Sequence, residues 1–225
     1  FYPLLEAEIL KGGGKIFAFE PDIRNFAMLK ENIQLCSYGK TIKPFNMAVS
    51  NKTGTEKMFV ATQSNLNKLY SSDDQAFIDR HTIEESIDVD TITVDDFCLR
   101  ENVQIDFLRM DIEGYEVEVF EGLLPALDDD DFRPSILFET HRSKYTEEHT
   151  IKQSLKLMFE KGYKVKIIAS NEGPDAKFSE HGYKADIIFP TDGKVRGLYY
   201  NISNDDAIKF ICDIGGVRAV FLECK

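Results

Sequence analysis

Long hydrophobic runs are missing from this sequence. No stretch approaches the roughly 20 apolar residues of a membrane-spanning helix, so a membrane-embedded protein is not expected. Cysteine is sparse: Cys36, Cys98, Cys212 and Cys224 are far apart, with no CxxC pair. That spacing favours reduced thiols in a cytoplasmic protein over a disulfide framework. Positive charge is also short. Lys and Arg number 27 against 39 Asp and Glu, a net charge of −12, which argues against a nucleic-acid partner. Several familiar motifs are absent as well. Gly12-Gly13-Gly14-Lys15 lacks the earlier glycine of a P-loop and has Ile16 where Ser or Thr belongs. The acidic loop Asp128–Asp131 lacks calcium-loop spacing, and no G-x-S-x-G elbow occurs. There is no initiator methionine and no signal peptide. The opening, Phe1-Tyr2-Pro3-Leu4-Leu5-Glu6-Ala7-Glu8-Ile9-Leu10, reads as a helix already under way, so further residues are expected upstream.

What is present is an ordinary globular composition, 43% hydrophobic and 29% charged over 225 residues, enough for one α/β domain spanning 1–225. One pattern occurs twice. Ile16-Phe17-Ala18-Phe19 ends in Glu20-Pro21-Asp22, and Ile105-Asp106-Phe107-Leu108-Arg109-Met110 ends in Asp111-Ile112-Glu113-Gly114. In each, an apolar strand gives way to a carboxylate and then to a helix start. Open α/β sheets bind ligands in the crevice outside the strand ends. Two such ends suggest a nucleotide-like ligand.

The rest of the chain alternates in the same way. Asp22 is placed to cap a helix whose Phe26, Leu29 and Ile33 share one face. Thr41–Val49 reads as a strand interrupted at Pro44, and Thr55–Ala61 and Ile87–Ile92 as further strands. Thr62–Glu85 is polar and aperiodic, and is expected to be a mobile lid. Val94–Arg100, 114–122 and Glu147–Lys161 read as helices. Strands follow at Ser135–Thr140, Tyr163–Ala169, Ala185–Phe189 and Val217–Leu222, with a helix at Asp205–Cys212. Such alternation implies a mostly parallel sheet with helices on both faces.

Chemistry is expected at the strand ends. Glu20 stands where a carboxylate accepts hydrogen bonds from ribose hydroxyls. Asp111 follows its strand directly, Glu113 and Glu116 add negative charge, and Gly114 permits a tight turn. Phe138-Glu139-Thr140-His141 ends the next strand. Glu139 and His141 share a face there, and a histidine can act as general base near neutral pH. Asp111, Glu139 and His141 are also suitable metal ligands, but no dedicated metal spacing is visible and none is assigned. His81, His149 and His181 sit in polar surroundings and read as surface residues.

The strand–carboxylate units resemble the FkbM family of S-adenosylmethionine-dependent methyltransferases. The resemblance extends through Asn25-Phe26, Leu29-Lys30-Glu31-Asn32-Ile33, Asn46-Met47-Ala48-Val49-Ser50 with Gly54, and Ile92-Thr93-Val94-Asp95-Asp96-Phe97. It continues through Asp111-Ile112-Glu113-Gly114-Tyr115-Glu116 and Pro134–His141, in order over about residues 1–170. The resemblance implies a class I, Rossmann-like α/β fold with a seven-stranded, mostly parallel sheet and one antiparallel strand near its edge. The family's first strand and glycine-rich loop belong before Phe1. Glu20, with Pro21 beside it, would hold the ribose of S-adenosylmethionine, and Ala48, Val49 and Ser50 would lie by the adenine. Asp111 and Glu113 would border the methionine end. The implied reaction is O-methylation of a small hydroxylated molecule such as a sugar or natural product. His141 or Asp111 would take the proton, and Glu139 would orient the imidazole or the substrate. The competing readings are a nicotinamide-dependent oxidoreductase, which leaves Asp111–Gly114 unexplained, and a catalytically silent binding or assembly module.

Overall fold

The computed structural model describes residues 2–61, 68–69, 83–173, 175–191 and 193–224. The expected lid, Thr62–Glu85, lies mostly outside them; its last three residues already belong to a strand. The chain divides into two compact units, Phe1–Thr93 and Val94–Lys225. Among the described residues no helix is long and apolar enough to cross a membrane. All four cysteines are free, and burial pushes the Cys212 thiol up to about 11.

In the first unit, helix α1 (Tyr2–Leu10) precedes strand β1 (Ile16–Phe19), helix α2 (Ile23–Leu35) and strand β2 (Ile42–Phe45). β1 and β2 pair in parallel, Ile16 opposite Ile42 and Phe19 opposite Phe45. Ala7, Ile16, Ala18 and Ile42 form their core, and Leu29 and Ile33 of α2 pack against it, as the helical spacing predicts. Asp22 caps α2, its carboxylate accepting from the Arg24 backbone N–H at 2.7 Å. Burial pushes the Asp22 pKa up, but the Arg24 side chain and backbone outweigh it and hold the carboxyl below the usual range.

A second sheet of this unit contains β3 (Ala48–Val49), β4 (Gly54–Ala61), β5 (Lys68–Leu69) and β6 (Ile83–Ile92), in the order β3-β6-β4-β5. The expected strand Thr41–Val49 is therefore two strands in different sheets. The break comes at Asn46, not at Pro44, because the Asn46 amide donates to the Glu20 and Pro21 carbonyls at 2.9 and 3.0 Å. Those bonds turn the chain at the end of β1. Pro44 is tolerated inside β2 because the two-stranded sheet leaves β2 an open edge.

In the second unit, helix α3 (Val94–Glu101) leads to β7 (Phe107–Met110), helix α4 (Glu116–Leu123) and β8 (Ser135–Glu139). Helix α5 (Lys152–Glu160), β9 (Tyr163–Ser170), helix α6 (Ala176–Glu180), β10 (Ile187–Thr191) and β11 (Lys194–Tyr200) follow. Helix α7 (Asn204–Ile208) runs into a π-helical turn, Lys209–Ile214, before β12 (Val217–Cys224). The sheet order is β10-β11-β9-β12-β8-β7. Its core includes Phe120 edge-on to Phe138 at 5.0 Å and Phe178 stacked between Tyr199 and Phe210.

The fold is α/β as expected, but its sheets are mixed and do not confirm one mostly parallel, seven-stranded sheet. Among the described residues there are sheets of two, four and six strands. Only β1–β2, β3–β6 and β7–β8 are parallel pairs. The rest are antiparallel: β4 with β5 and β6 in the first unit, and in the second β11 with β10 and β9, and β12 with β8 and β9. The helix expected from Glu147 begins only at Lys152. Thr146 and His149 first close a turn on each other, and His149 Nε2 meets Glu118 Oε1 at 2.8 Å.

Candidate active site

The C-terminal ends of β7 and β8 carry the richest chemistry. Their parallel register sets Met110 opposite Phe138, so Asp111 and Glu139 emerge side by side at one end of the sheet. β12 runs antiparallel to β8 with Ala219 opposite Glu139, and Thr140 is tied to its first residues through the Arg218 and Val217 carbonyls. This brings the Arg218 guanidinium onto Glu139 as an ion pair.

His141 follows β8. Its side chain is only 10% exposed. Nδ1 lies 2.8 Å from Oε1 of Glu116, in the first turn of α4. Glu116 is completely buried and takes two further hydrogen bonds, from the Gly114 N–H at 3.2 Å and the Tyr145 hydroxyl at 3.0 Å. A carboxylate only accepts, so Nδ1 carries the proton of the neutral imidazole and Nε2 keeps its lone pair. Nε2 faces Asp111 at 3.6 Å and Glu113 at 3.8 Å. Burial alone would lower the His141 pKa. The hydrogen bond and charge of Glu116, with Glu113 and Asp111 behind it, outweigh burial and raise it. Burial raises the Glu139 pKa, Asp111 adds to the rise, and Arg218 partly offsets both. Burial and the Glu116 charge keep the Tyr145 phenol protonated far above its ordinary range.

The loop between β7 and α4 is strained. Glu113 has φ +56°, a conformation that non-glycine residues seldom adopt. Gly114 has φ +101°, and a Cβ there would meet the Lys144 Cβ at 2.6 Å. The turn after β8 therefore packs directly on the backbone of the turn after β7, and only glycine leaves room for it.

The residues expected on the cofactor side lie in the first unit. Glu20 follows β1, partly buried, with Oε1 accepting from the Asp22 N–H at 3.0 Å. Burial raises its pKa, and the Asp22 backbone bond offsets part of the rise. Pro21 is pinned through its carbonyl to Asn46. Ala48 is buried and Val49 half-buried. Ser50 is wholly buried, with its hydroxyl 3.2 Å from Glu56 Oε2 and its N–H on the Ile92 carbonyl. Its hydroxyl thus faces β4, where Glu56 lies.

The structure brings together Asp111, Glu113, Glu139 and His141, as the strand ends predict. Glu116 appears in the sequence only as extra acid, and its role as the partner of His141 is not evident there. Tyr145 and Arg218 carry no sequence signal. His149 and His181 belong to the surface as expected, paired with Glu118 and the Lys177 carbonyl; His81 lies outside the described residues.

Carboxylates and an imidazole thus gather at the ends of two parallel strands of an α/β protein. A family model, the methyltransferase FkbM domain, matches residues 1–165, and the chain belongs to that family. No curated protein matches it. Among solved structures, the methyltransferase FkbM from Methylobacillus flagellatus KT aligns with 83% of this chain at 14% identity and a TM-score of 0.42. The chain spans 36% of the length of that structure.

Proposed function

We propose that this protein is a cytoplasmic S-adenosylmethionine-dependent O-methyltransferase acting on a hydroxyl of a small molecule, such as a sugar or natural product. Within a methyltransferase family, the observation that carries the reading is the His141 corner. A buried carboxylate holds Nδ1, and Nε2 opens toward Asp111 and Glu113 beyond the sheet. When bound, S-adenosylmethionine supplies a methyl group already activated on a sulfonium. The protein's share is then alignment and proton handling.

Each unit, taken by itself, carries groups suited to part of that cofactor. Glu20 offers a carboxylate at the end of β1, and its backbone is held in place by Asn46. Such a carboxylate suits the two hydroxyls of a ribose. In the second unit, Asp111 and Glu113 provide negative charge that complements a sulfonium. An acceptor hydroxyl must lose its proton as the methyl group arrives, and His141 at Nε2 or Asp111 receives it. Arg218 keeps Glu139 in position beside them.

Calorimetry with S-adenosylmethionine tests the cofactor, and transfer of labelled methyl to a panel of hydroxylated sugars and natural products tests the reaction. Binding and transfer to a hydroxyl support the reading. Binding without transfer to any panel member favours a silent binding module. No binding removes the cofactor assignment.

A further inference from the structure

We infer that the ends of β7 and β8 form a site for a divalent first-row metal ion, with Asp111, Glu139 and His141 as its ligands. One ligand atom from each of these residues lies within 4.8 Å of the other two, so a small inward movement closes a three-ligand set. An ion of this class needs about 2.0–2.2 Å to each ligand atom, so the three atoms draw together around it.

The histidine points to an ion in its own right. Its side chain is nine-tenths buried, while Nε2 keeps access to solvent at the end of the sheet. Nδ1 has a hydrogen bond, to Glu116. Nε2 has none among the described residues, since Asp111 and Glu113 stand at 3.6 and 3.8 Å, beyond hydrogen-bond reach. An accessible lone pair facing two carboxylates is the donor a metal ion requires. Metal-ligating histidines almost always donate the other ring N–H to a carboxylate or carbonyl, which fixes the tautomer and raises ligand basicity. Glu116 does this here, with Tyr145 and the Gly114 N–H fixing Glu116 in turn.

Charge favours the same conclusion. Asp111, Glu113 and Glu139 crowd one end of the sheet, and Arg218 pairs with one oxygen of one of them. A mixed carboxylate and imidazole set suits manganese, iron or zinc more than calcium, which takes oxygen ligands alone. Three protein ligands leave open positions, as catalytic metal sites do. An acceptor hydroxyl bound in one of them would become more acidic. That use of the ion rests on the methyl-transfer reading; the site itself does not. With an ion in place Nε2 and Asp111 would both be ligands, and the acceptor's proton would fall to Glu113, the remaining carboxylate beside them.

Manganese(II) alone, added to the chelator-stripped 225-residue chain and followed by electron paramagnetic resonance, tests the site. Wild type should bind a single ion, with nitrogen hyperfine coupling from a directly bound imidazole. Asp111→Asn should weaken binding about tenfold or more, and His141→Gln should do so and abolish the nitrogen coupling. Asp130→Asn, in the exposed acidic loop, should change nothing. Circular dichroism checks folding; if His141→Gln does not fold, Asp111→Asn and the wild-type nitrogen coupling decide. Absence of binding at millimolar manganese, absence of nitrogen coupling, or equal binding by wild type and Asp111→Asn would overturn the site. Calorimetry with S-adenosylmethionine is independent of these outcomes, so the failure of one reading is distinguishable from failure of the other.

Discussion

Glu116 is the residue whose replacement should reveal most about this protein. Its carboxylate has no solvent exposure and accepts from three donors: His141 Nδ1, the Gly114 N–H and the Tyr145 hydroxyl. Glu116→Ala strands all three. Each buried group left without a partner costs about 1–3 kcal/mol, so a loss of roughly 3–9 kcal/mol is expected unless water enters. That is a large part of the roughly 5–15 kcal/mol that holds a domain together. Glu116→Gln is gentler. The amide oxygen can still accept from His141 and Gly114, and the Tyr145 hydroxyl can rotate to accept from the amide nitrogen. What disappears is the charge assistance, about 1.5–3 kcal/mol. Tyr145→Phe should cost about 1–3 kcal/mol by leaving Oε2 without its donor. The two changes share a partner, so Glu116→Gln with Tyr145→Phe should depart from additivity by about 0.5 kcal/mol or more. Urea unfolding followed by circular dichroism, with unchanged m-values, measures all four chains. If Glu116→Gln lies within about 0.5 kcal/mol of wild type and couples to nothing, the network does not organise this corner.

Other consequences follow from the same structure. Glu20→Ala should weaken S-adenosylmethionine binding by about 1.5–3 kcal/mol, one to two decades in Kd by calorimetry, without unfolding the chain; an unchanged Kd would remove Glu20 from the site. Asp111→Asn and His141→Ala should each lower methyl transfer by ~10²–10⁴-fold while changing cofactor affinity far less, and full turnover by both would remove this corner from the chemistry. Gly114→Ala should destabilise the protein by about 1–3 kcal/mol in urea, because φ +101° and the Lys144 contact both oppose a Cβ; a stable variant would show that the loop readily rearranges. The folded-state pKa of Asp22 is depressed, so the stability it confers is present above the ordinary carboxyl pKa and lost as pH falls through the folded value. Asp22→Asn keeps the helix cap but not the charge. The gap between wild type and this variant should therefore narrow from pH ~7 to pH ~3 in urea melts.

The amino-acid order by itself determined the local pieces of this protein. Asp22 caps α2, Leu29 and Ile33 face its core, and the apolar runs before Glu20, Asp111 and Glu139 become strands. These features rest on interactions between neighbours in sequence: a side-chain oxygen reaching an N–H two residues on, or a repeat matched to helix or strand geometry. Asp111, Glu139 and His141 were legible for the same reason, since each closes an apolar run. The hairpin β10–β11 is not legible in the sequence, because its strands lack clean alternation. The tertiary structure alone decided the sheet order, with β12 inserted antiparallel between β8 and β9, and so brought Arg218 to Glu139 across 79 residues of chain. It likewise joined Glu116 to His141 and Tyr145, which stand 25 and 29 residues away. Contacts at such separations leave no period or spacing behind. They arise from which strands pair and in which register, and that choice is made by burial of the whole core rather than by any short stretch of sequence.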